Sequence, residues 1–265
     1  MTTKTPVVFI HGLWMHASSW DRWAQLFNES GFDAIAPSWP GDSATVAQSN
    51  AHPELLAGFG VDEVTEHFAQ LIRSLDRKPI VIGHSFGGLI AQKLLAQDLA
   101  VAAVAIDPAQ FRGVLPLPFA QLKSALPVLG NPANYNRAVA LTGEQFASSF
   151  ASAVPAAEAF ELHAKFAIPA PGRPLFQAAA ANFNPRTSAS VDVNAKRGPL
   201  LITGGGRDRV VPAVTTRAAF AQYRKASTTT EYREFADRGH SLAIDHGWRE
   251  VADVALAFLA KHGLK

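Results

Sequence analysis

An α/β chain with a mostly parallel sheet of about six strands flanked by helices is what this sequence predicts, and three observations carry the prediction. Short apolar runs such as Val7-Val-Phe-Ile10, Ile80-Val-Ile82 and Val101-Ala-Ala-Val-Ala-Ile106 have the continuous hydrophobicity of strands covered on both faces. Helical periodicity separates them, so the chain up to Ile106 alternates strand and helix as βαβ units do. In Pro79-Ile-Val-Ile-Gly-His-Ser-Phe-Gly-Gly88, finally, a strand gives way abruptly to glycines and then to a helical run.

The elements follow in order. Val7–Ile10 is the first strand, and His11-Gly12-Leu13-Trp14 turns out of it. Ser18–Ser30 opens with a serine suited to an N-cap, places Trp23, Leu26 and Phe27 on one face and stops at Gly31, which predicts a helix. Asp33–Pro37 is the second strand. Residues 43–59 are small and polar and predict a surface excursion. Val61, Val64, Phe68, Leu71, Ile72 and Leu75 recur at steps of three and four, an amphipathic helix over 60–75. Strand Ile80–Ile82 and helix Gly87–Gln97 come next, then strand Val101–Ile106. Leu200–Thr203 is the fifth strand, followed by a helix over roughly 213–224 and a sixth strand at Thr230–Phe235. The final helix, 247–262, puts Val251, Val254, Ala255, Phe258 and Leu259 on one face.

Between the fourth and fifth strands lie about 90 residues, where a crossover needs only a dozen or more. The excess predicts an insertion: residues 111–197 form a helical cap, with helical patterns at 143–153, 155–167 and 173–183, on a core made of 1–110 and 198–265. The insertion is rich in proline and phenylalanine. Its phenylalanines suit the cap's own core, and a cap over a reaction centre would also use them as apolar pocket walls.

Composition excludes several classes. With 48% hydrophobic and 17% charged residues, the chain has the make-up of a globular protein with a sizeable core. Its 24 basic and 22 acidic residues are scattered, with no basic run to track a nucleic acid. The absence of cysteine removes disulfides, thiolate metal sites and a cysteine nucleophile. The nine histidines show no metal-ligand spacing, so no metal is expected. Met1–Pro6 is too short for an export signal ahead of the first strand and no apolar run is long enough to span a bilayer, which predicts a soluble, cytoplasmic protein without a membrane partner.

The chemistry centres on Ser85. A serine at a strand-to-helix turn sits in a strained backbone, so Gly83 and Gly87 are needed beside it. The alternative is a glycine-rich turn without chemistry. A serine hydroxyl needs an adjacent base, and the base needs a third group to fix its tautomer. His240 follows the sixth strand and Asp208 the fifth, each beside glycine-rich sequence, and in a parallel sheet these strand ends share an edge with Ser85. Asp107, at the end of the fourth strand, is a second candidate for the acid. His11 and His84 flank the site and suit loop support; Trp14, His16 and Trp20 suit loop packing, and Trp14 could also border a pocket.

Gly83-His-Ser-Phe-Gly87, Gly206-Arg-Asp-Arg-Val-Val-Pro212 and Gly239-His240 resemble the three signature loops of the α/β-hydrolase family, and His11-Gly12 resembles its oxyanion loop. The match spans 6–110 and 198–262 and leaves the insertion unmatched. The resemblance implies Ser85 as nucleophile, Asp208 as acid and His240 as base, with backbone N–H groups of Leu13 and Phe86 holding the oxyanion. A start at the His11 strand, without the usual preceding hairpin, resembles the plant methylesterase and hydroxynitrile lyase branch.

The expected function is a cofactor-free serine hydrolase cleaving small to medium hydrophobic carboxylic esters through an acyl-enzyme, as a monomer or homodimer. Trp14, Phe119, Phe146 and Phe150 are the candidate substrate-binding residues. The alternatives are a cofactor-free lyase, an oxygenase or perhydrolase on the same fold, or a non-catalytic binding protein. Against the lyase, the plant enzymes carry a lysine after the catalytic histidine, and Ser241 stands there in this chain.

Overall fold

A computed structural model describes residues 4–264; Met1–Thr3, part of the stretch expected to be too short for an export signal, and Lys265 lie outside the described residues. The chain runs β1 (Pro6–Ile10), α1 (Asp21–Glu29), β2 (Asp33–Ile35), α2 (Val46–Ala51), α3 (Val61–Arg73), β3 (Ile80–His84), α4 (Phe86–Ala96) and β4 (Ala102–Ile106). It continues with α5 (Phe119–Leu129), β5 (Ala138–Val139), α6 (Gly143–Ser148), α7 (Ala156–Phe166), β6 (Ala170–Pro171), α8 (Arg173–Ala179), β7 (Leu200–Gly205), α9 (Ala213–Gln222), β8 (Thr230–Phe235) and α10 (Trp248–Lys261).

Six of these strands form one wholly parallel sheet in the order β2-β1-β3-β4-β7-β8, the architecture the apolar runs predict. All side chains of β1, β3 and β4 are buried, as continuous hydrophobicity requires of central strands. Helices cover both faces. On one, Phe9 of β1 packs against Trp20, Trp23 and Phe27, and Trp23 reaches Trp248 of α10 at 6.0 Å. On the other, α4 is buried nearly all round, because α3 packs along it and Lys93 of α4 pairs with Asp62 of α3. Among the described residues no helix is long and apolar enough to cross a membrane.

Local readings differ from the structure in four places. Ser18 does not cap an α-helix: residues Ala17–Trp20 form a 3-10 turn capped by the His16 imidazole, which accepts from Ser18 N–H, and α1 starts at Asp21. Residues 43–59 fold as α2 and a 3-10 turn, and Ser49 and Leu56 are buried there. In the long excursion between β4 and β7, α5 is a helix the pattern did not announce. Pro127 reads as a breaker, yet it falls in the last turn, and Phe119 and Leu126 face solvent while Val128 alone of the helix is buried, so no buried stripe marks the helix. The helix expected over 143–153 stops at Ser148, where the next residue, Ser149, turns its hydroxyl back onto the Gln145 carbonyl at 2.5 Å.

The same excursion contains a two-stranded antiparallel ribbon, β5 with β6, and is tied to the loop after β1. Trp14 Nε1–H donates to the Val139 carbonyl at 3.0 Å, Ile168 N–H donates to the Trp14 carbonyl and His16 N–H donates to the Phe166 carbonyl.

Candidate active site

Four loops at the C-terminal edge of the sheet meet in one place. The first is the turn from β3 to α4, where Ser85 has φ 57° and ψ −120°. A non-glycine residue in that region is strained, at roughly 1–3 kcal/mol, and persists because its surroundings fix it. They do so closely. Ser85 N–H donates to the Ile106 carbonyl at 2.9 Å, and the Ser85 carbonyl accepts from Ala109 N–H at 2.9 Å. A Cβ on Gly83 would lie 2.0 Å from the Gly87 carbonyl oxygen, and one on Gly87 would lie 2.1 Å from that of Ile10.

Both neighbours are backbone atoms of central strands or of the turn itself, so they cannot swing aside. Gly87→Ala is therefore expected to destabilise the chain by about 3 kcal/mol or more, lowering the melting temperature by about 6–12 °C. Thermal unfolding of the variant checks this; a shift of only a degree or two would mean that the turn is soft.

The second loop is His11-Gly12-Leu13 after β1. A Cβ on Gly12 would stand 2.7 Å from Ser85 Cβ, so this glycine lets the backbone bearing the Leu13 amide press against the serine. Among the described residues, neither the Leu13 nor the Phe86 amide makes a loop or capping hydrogen bond. His11 supports this loop. Its Nδ1 bonds the Gly12 carbonyl at 2.9 Å, its ring stacks on Trp39 and its Nε2 lies 3.0 Å from Asp42 Oδ2, within ion-pair distance but outside hydrogen-bond alignment.

Asp208 and His240 come from the loops after β7 and β8. His240 Nδ1 lies 2.6 Å from Asp208 Oδ2, both side chains wholly buried. Asp208 Oδ1 accepts from the amides of Val210 and Val211 at 2.6 and 2.8 Å, which fixes the carboxylate from behind. Burial alone would raise the Asp208 carboxyl, but the charge and hydrogen bond of His240, with the contact to Asp107 and the Val211 amide, hold it below its ordinary value. The Nδ1 proton of His240 thus points at Asp208. Its Nε2 is buried and has no hydrogen-bond partner, so Ser85 Oγ and Nε2 are not bonded in this conformation. A buried acceptor left open costs about 1–3 kcal/mol, and this nitrogen is free to accept a proton.

Two rings hold His240 in place. Phe150 packs edge-on at 4.8 Å and 84°, and His84 lies at 4.6 Å, its Nε2–H donating to the His240 carbonyl at 2.9 Å. Burial first, and then the charge of His240, keep His84 well below the ordinary imidazole range, so His84 is a neutral support.

Above Ser85 opens a cavity of about 750 Å³, including its mouth. Trp14, Phe86, Leu122, Phe150, Leu175 and Val211 give it apolar walls, and Ser85 lies on its surface. The substrate-binding residues expected from sequence divide accordingly. Trp14 and Phe150 line the cavity. Phe146 is fully buried behind Phe150, stacked on it at 4.7 Å, and Phe119 is 80% exposed at the start of α5 and borders a separate surface hollow. Phe146 and Phe119 are therefore corrected: neither touches the cavity, the first because Phe150 stands in front of it, the second because α5 turns it outward. Sequence reasoning missed two of the cavity's polar groups, Gln110 and Gln121. Thr215 Oγ–H donates to Gln121 Oε1 at 3.2 Å and Gln121 Nε2 donates to Gln110 Oε1, a chain of amides that no local pattern announces.

A parallel α/β sheet whose C-terminal edge brings together a strained serine and a buried histidine–carboxylate pair has the framework of the α/β-hydrolases. The chain belongs to that family: the model of the alpha/beta hydrolase family matches residues 7–254. Solved structures agree in fold. An extracellular α/β-hydrolase from a Paenibacillus species, described as sharing structural and functional homology with tobacco salicylic acid binding protein 2, is 19% identical, with 96% of this chain and 98% of that one covered and a TM-score of 0.70. The methylesterase MES16 from Arabidopsis is 19% identical over 96% and 98% of the two chains, TM-score 0.64. A putative non-heme bromoperoxidase, BpoC from Mycobacterium tuberculosis, is 22% identical over 98% and 93%, TM-score 0.70. No curated protein matches the chain.

Proposed function

We propose that the chain is a serine esterase that cleaves carboxylic esters of small to medium hydrophobic groups through an acyl-enzyme. The observation that carries this reading is the combination at one sheet edge of Ser85 on a cavity wall with His240, whose Nδ1 is engaged by Asp208 and whose Nε2 is open. In the reaction, Ser85 Oγ attacks the ester carbonyl while His240 Nε2 takes its proton. Transfer needs the two atoms about 2.6–3.2 Å apart, so the hydroxyl rotates towards the imidazole when substrate arrives.

Asp208 holds the ring by its Nδ1 proton and stabilises the imidazolium. The Leu13 and Phe86 amides receive the oxyanion, and His240 then protonates the departing alcohol. Water, deprotonated by the same Nε2, attacks the acyl-serine, and as the C–Oγ bond breaks the imidazolium returns that proton to Ser85 Oγ. No cofactor enters these steps. The excursion over residues 111–197 acts as a cap, contributing Leu122, Phe150 and Leu175 to the walls, which favours uncharged acyl or alcohol groups.

A ladder of p-nitrophenyl esters from acetyl to long acyl chains tests the reading. Turnover is expected with an optimum at short to medium chains, set by the size of the apolar cavity over Ser85. No turnover on any ester would move the chain to the lyase, perhydrolase or binding alternatives.

A further inference from the structure

We propose that Asp107 and Asp208 form a buried carboxyl pair sharing a single proton, which Asp107 holds and donates to Asp208, so that Asp107 positions the carboxylate that in turn orients His240. Asp107 directly follows β4, beside the Ser85 turn on the neighbouring strand, and is fully buried. Ligand atoms of Asp107, Asp208 and His240 lie within 4.8 Å of one another. Asp107 is firmly held there: its Oδ2 accepts from Gly205 N–H at 3.0 Å, its Oδ1 accepts from Thr203 Oγ–H at 3.3 Å and its backbone has φ 42°. A Cβ on Gly205 would stand 2.9 Å from Oδ2, so this glycine makes room for the carboxyl.

Among the described residues no lysine or arginine pairs with Asp107. The titratable groups around it are Asp208 on the β7 loop, His240 on the β8 loop, Tyr232 on β8 and, beyond His240, His84 on β3. Two carboxylates in contact in a dry site cannot both ionise. One proton must stay, and the partners decide where. Asp208 has His240 and the two amides of Val210 and Val211 to stabilise its charge, whereas Asp107 has one amide and one hydroxyl. Burial, then the charge of Asp208 and the hydrogen bond to it, push Asp107 well above the ordinary carboxyl range.

The consequence can be read without any substrate. An unfolded aspartate ionises at roughly pH 3.9. Asp107 keeps its proton when folded, so above that pH the unfolded chain has released a proton that the folded chain retains. Its contribution to stability is therefore complete below the unfolded pKa and declines as pH rises towards the folded one. Asp107→Asn keeps a neutral donor towards Asp208 and an acceptor for Gly205, yet cannot ionise in either state. Its melting temperature should gain on that of wild type by about 2–3 °C per pH unit between pH 4 and 7.

The part of the inference that concerns His240 rests on the esterase reading, and turnover tests it. Asp107→Ala, which leaves Asp208 without its donor, should lower kcat/KM by about 10–100-fold, and Asp107→Asn should recover most of that loss. The infrared spectrum of the wild-type protein at neutral pH should carry a protonated-carboxyl stretch that disappears in Asp107→Asn. A melting gap that does not change with pH, no such infrared band in wild type, or an Asn variant as impaired as the Ala variant would each overturn the proposal. Melting and infrared readings need no ester, so absence of turnover by wild type counts against the esterase and leaves the proton pair to be judged on those two.

Discussion

Ser85→Ala is expected to lower ester turnover by a factor on the order of 10⁵–10⁶ while leaving the fold intact. The size follows from what the hydroxyl does: without Oγ no acyl-enzyme forms, and the orientation of His240 by Asp208 has no nucleophile to serve. The residual rate, roughly 10³–10⁴ over water in comparable sites, comes from the oxyanion amides and the cavity walls. The fold should be indifferent to the change. Alanine keeps the Cβ that already occupies φ 57°, so it neither relieves nor adds backbone strain, and the backbone bonds from Ser85 to Ile106 and Ala109 remain. Thermal unfolding should show wild type and variant within a few degrees of each other. A serine-directed phosphonate should label the wild-type protein once and the variant not at all. If the alanine variant turned over esters within tenfold of wild type, the attacking group would have to be another side chain or water, and the acyl-enzyme mechanism would fall.

The residues that carry this prediction were legible in the sequence because sterics wrote them there. A strand of β-branched residues ending in Gly83 and followed by Gly87 has few folds open to it, and the distances of 2.0 and 2.1 Å that a Cβ would meet explain why those two glycines flank Ser85. The parallel sheet was legible for a similar reason, since strands buried on both faces leave unbroken apolar runs. The excursion was not. Its helix α5 turns Phe119 and Leu126 to solvent and Leu122 to the cavity, so apolar periodicity there does not announce a core. Phe119, Phe146 and Phe150 are the same residue type in similar surroundings along the chain, and only the three-dimensional course separates a solvent-facing ring, a buried one and a cavity wall. Asp107 illustrates a further limit. The sequence offers it and Asp208 as rival acids at the ends of neighbouring strands, and nothing in one dimension says that both carboxyls meet in the same buried space.

That meeting decides what Asp208→Asn should do. Oδ1 of Asp208 is committed to the amides of Val210 and Val211, which are donors and cannot face an amide NH2. An asparagine must therefore keep its oxygen on that side and turn its NH2 towards His240 Nδ1. Facing a donor, Nδ1 gives up its proton and becomes the acceptor, so the proton moves to Nε2, the atom that has to receive the serine's. Turnover is expected to fall by about 10⁴-fold in kcat with KM little changed, since the cavity walls are untouched. Asp107 offers the one route by which the loss could be smaller. Relieved of a charged neighbour, its carboxyl can ionise and lies within 4.8 Å of the ring. The double variant Asp107→Asn with Asp208→Asn separates the cases in a pH series of kcat. If Asp107 takes over, the double variant loses activity well beyond Asp208→Asn alone; if it does not, the second substitution adds little. A single Asp208→Asn variant that loses less than tenfold would make Asp107 the acid, reversing the roles that hydrogen bonding to His240 gives the two carboxyls.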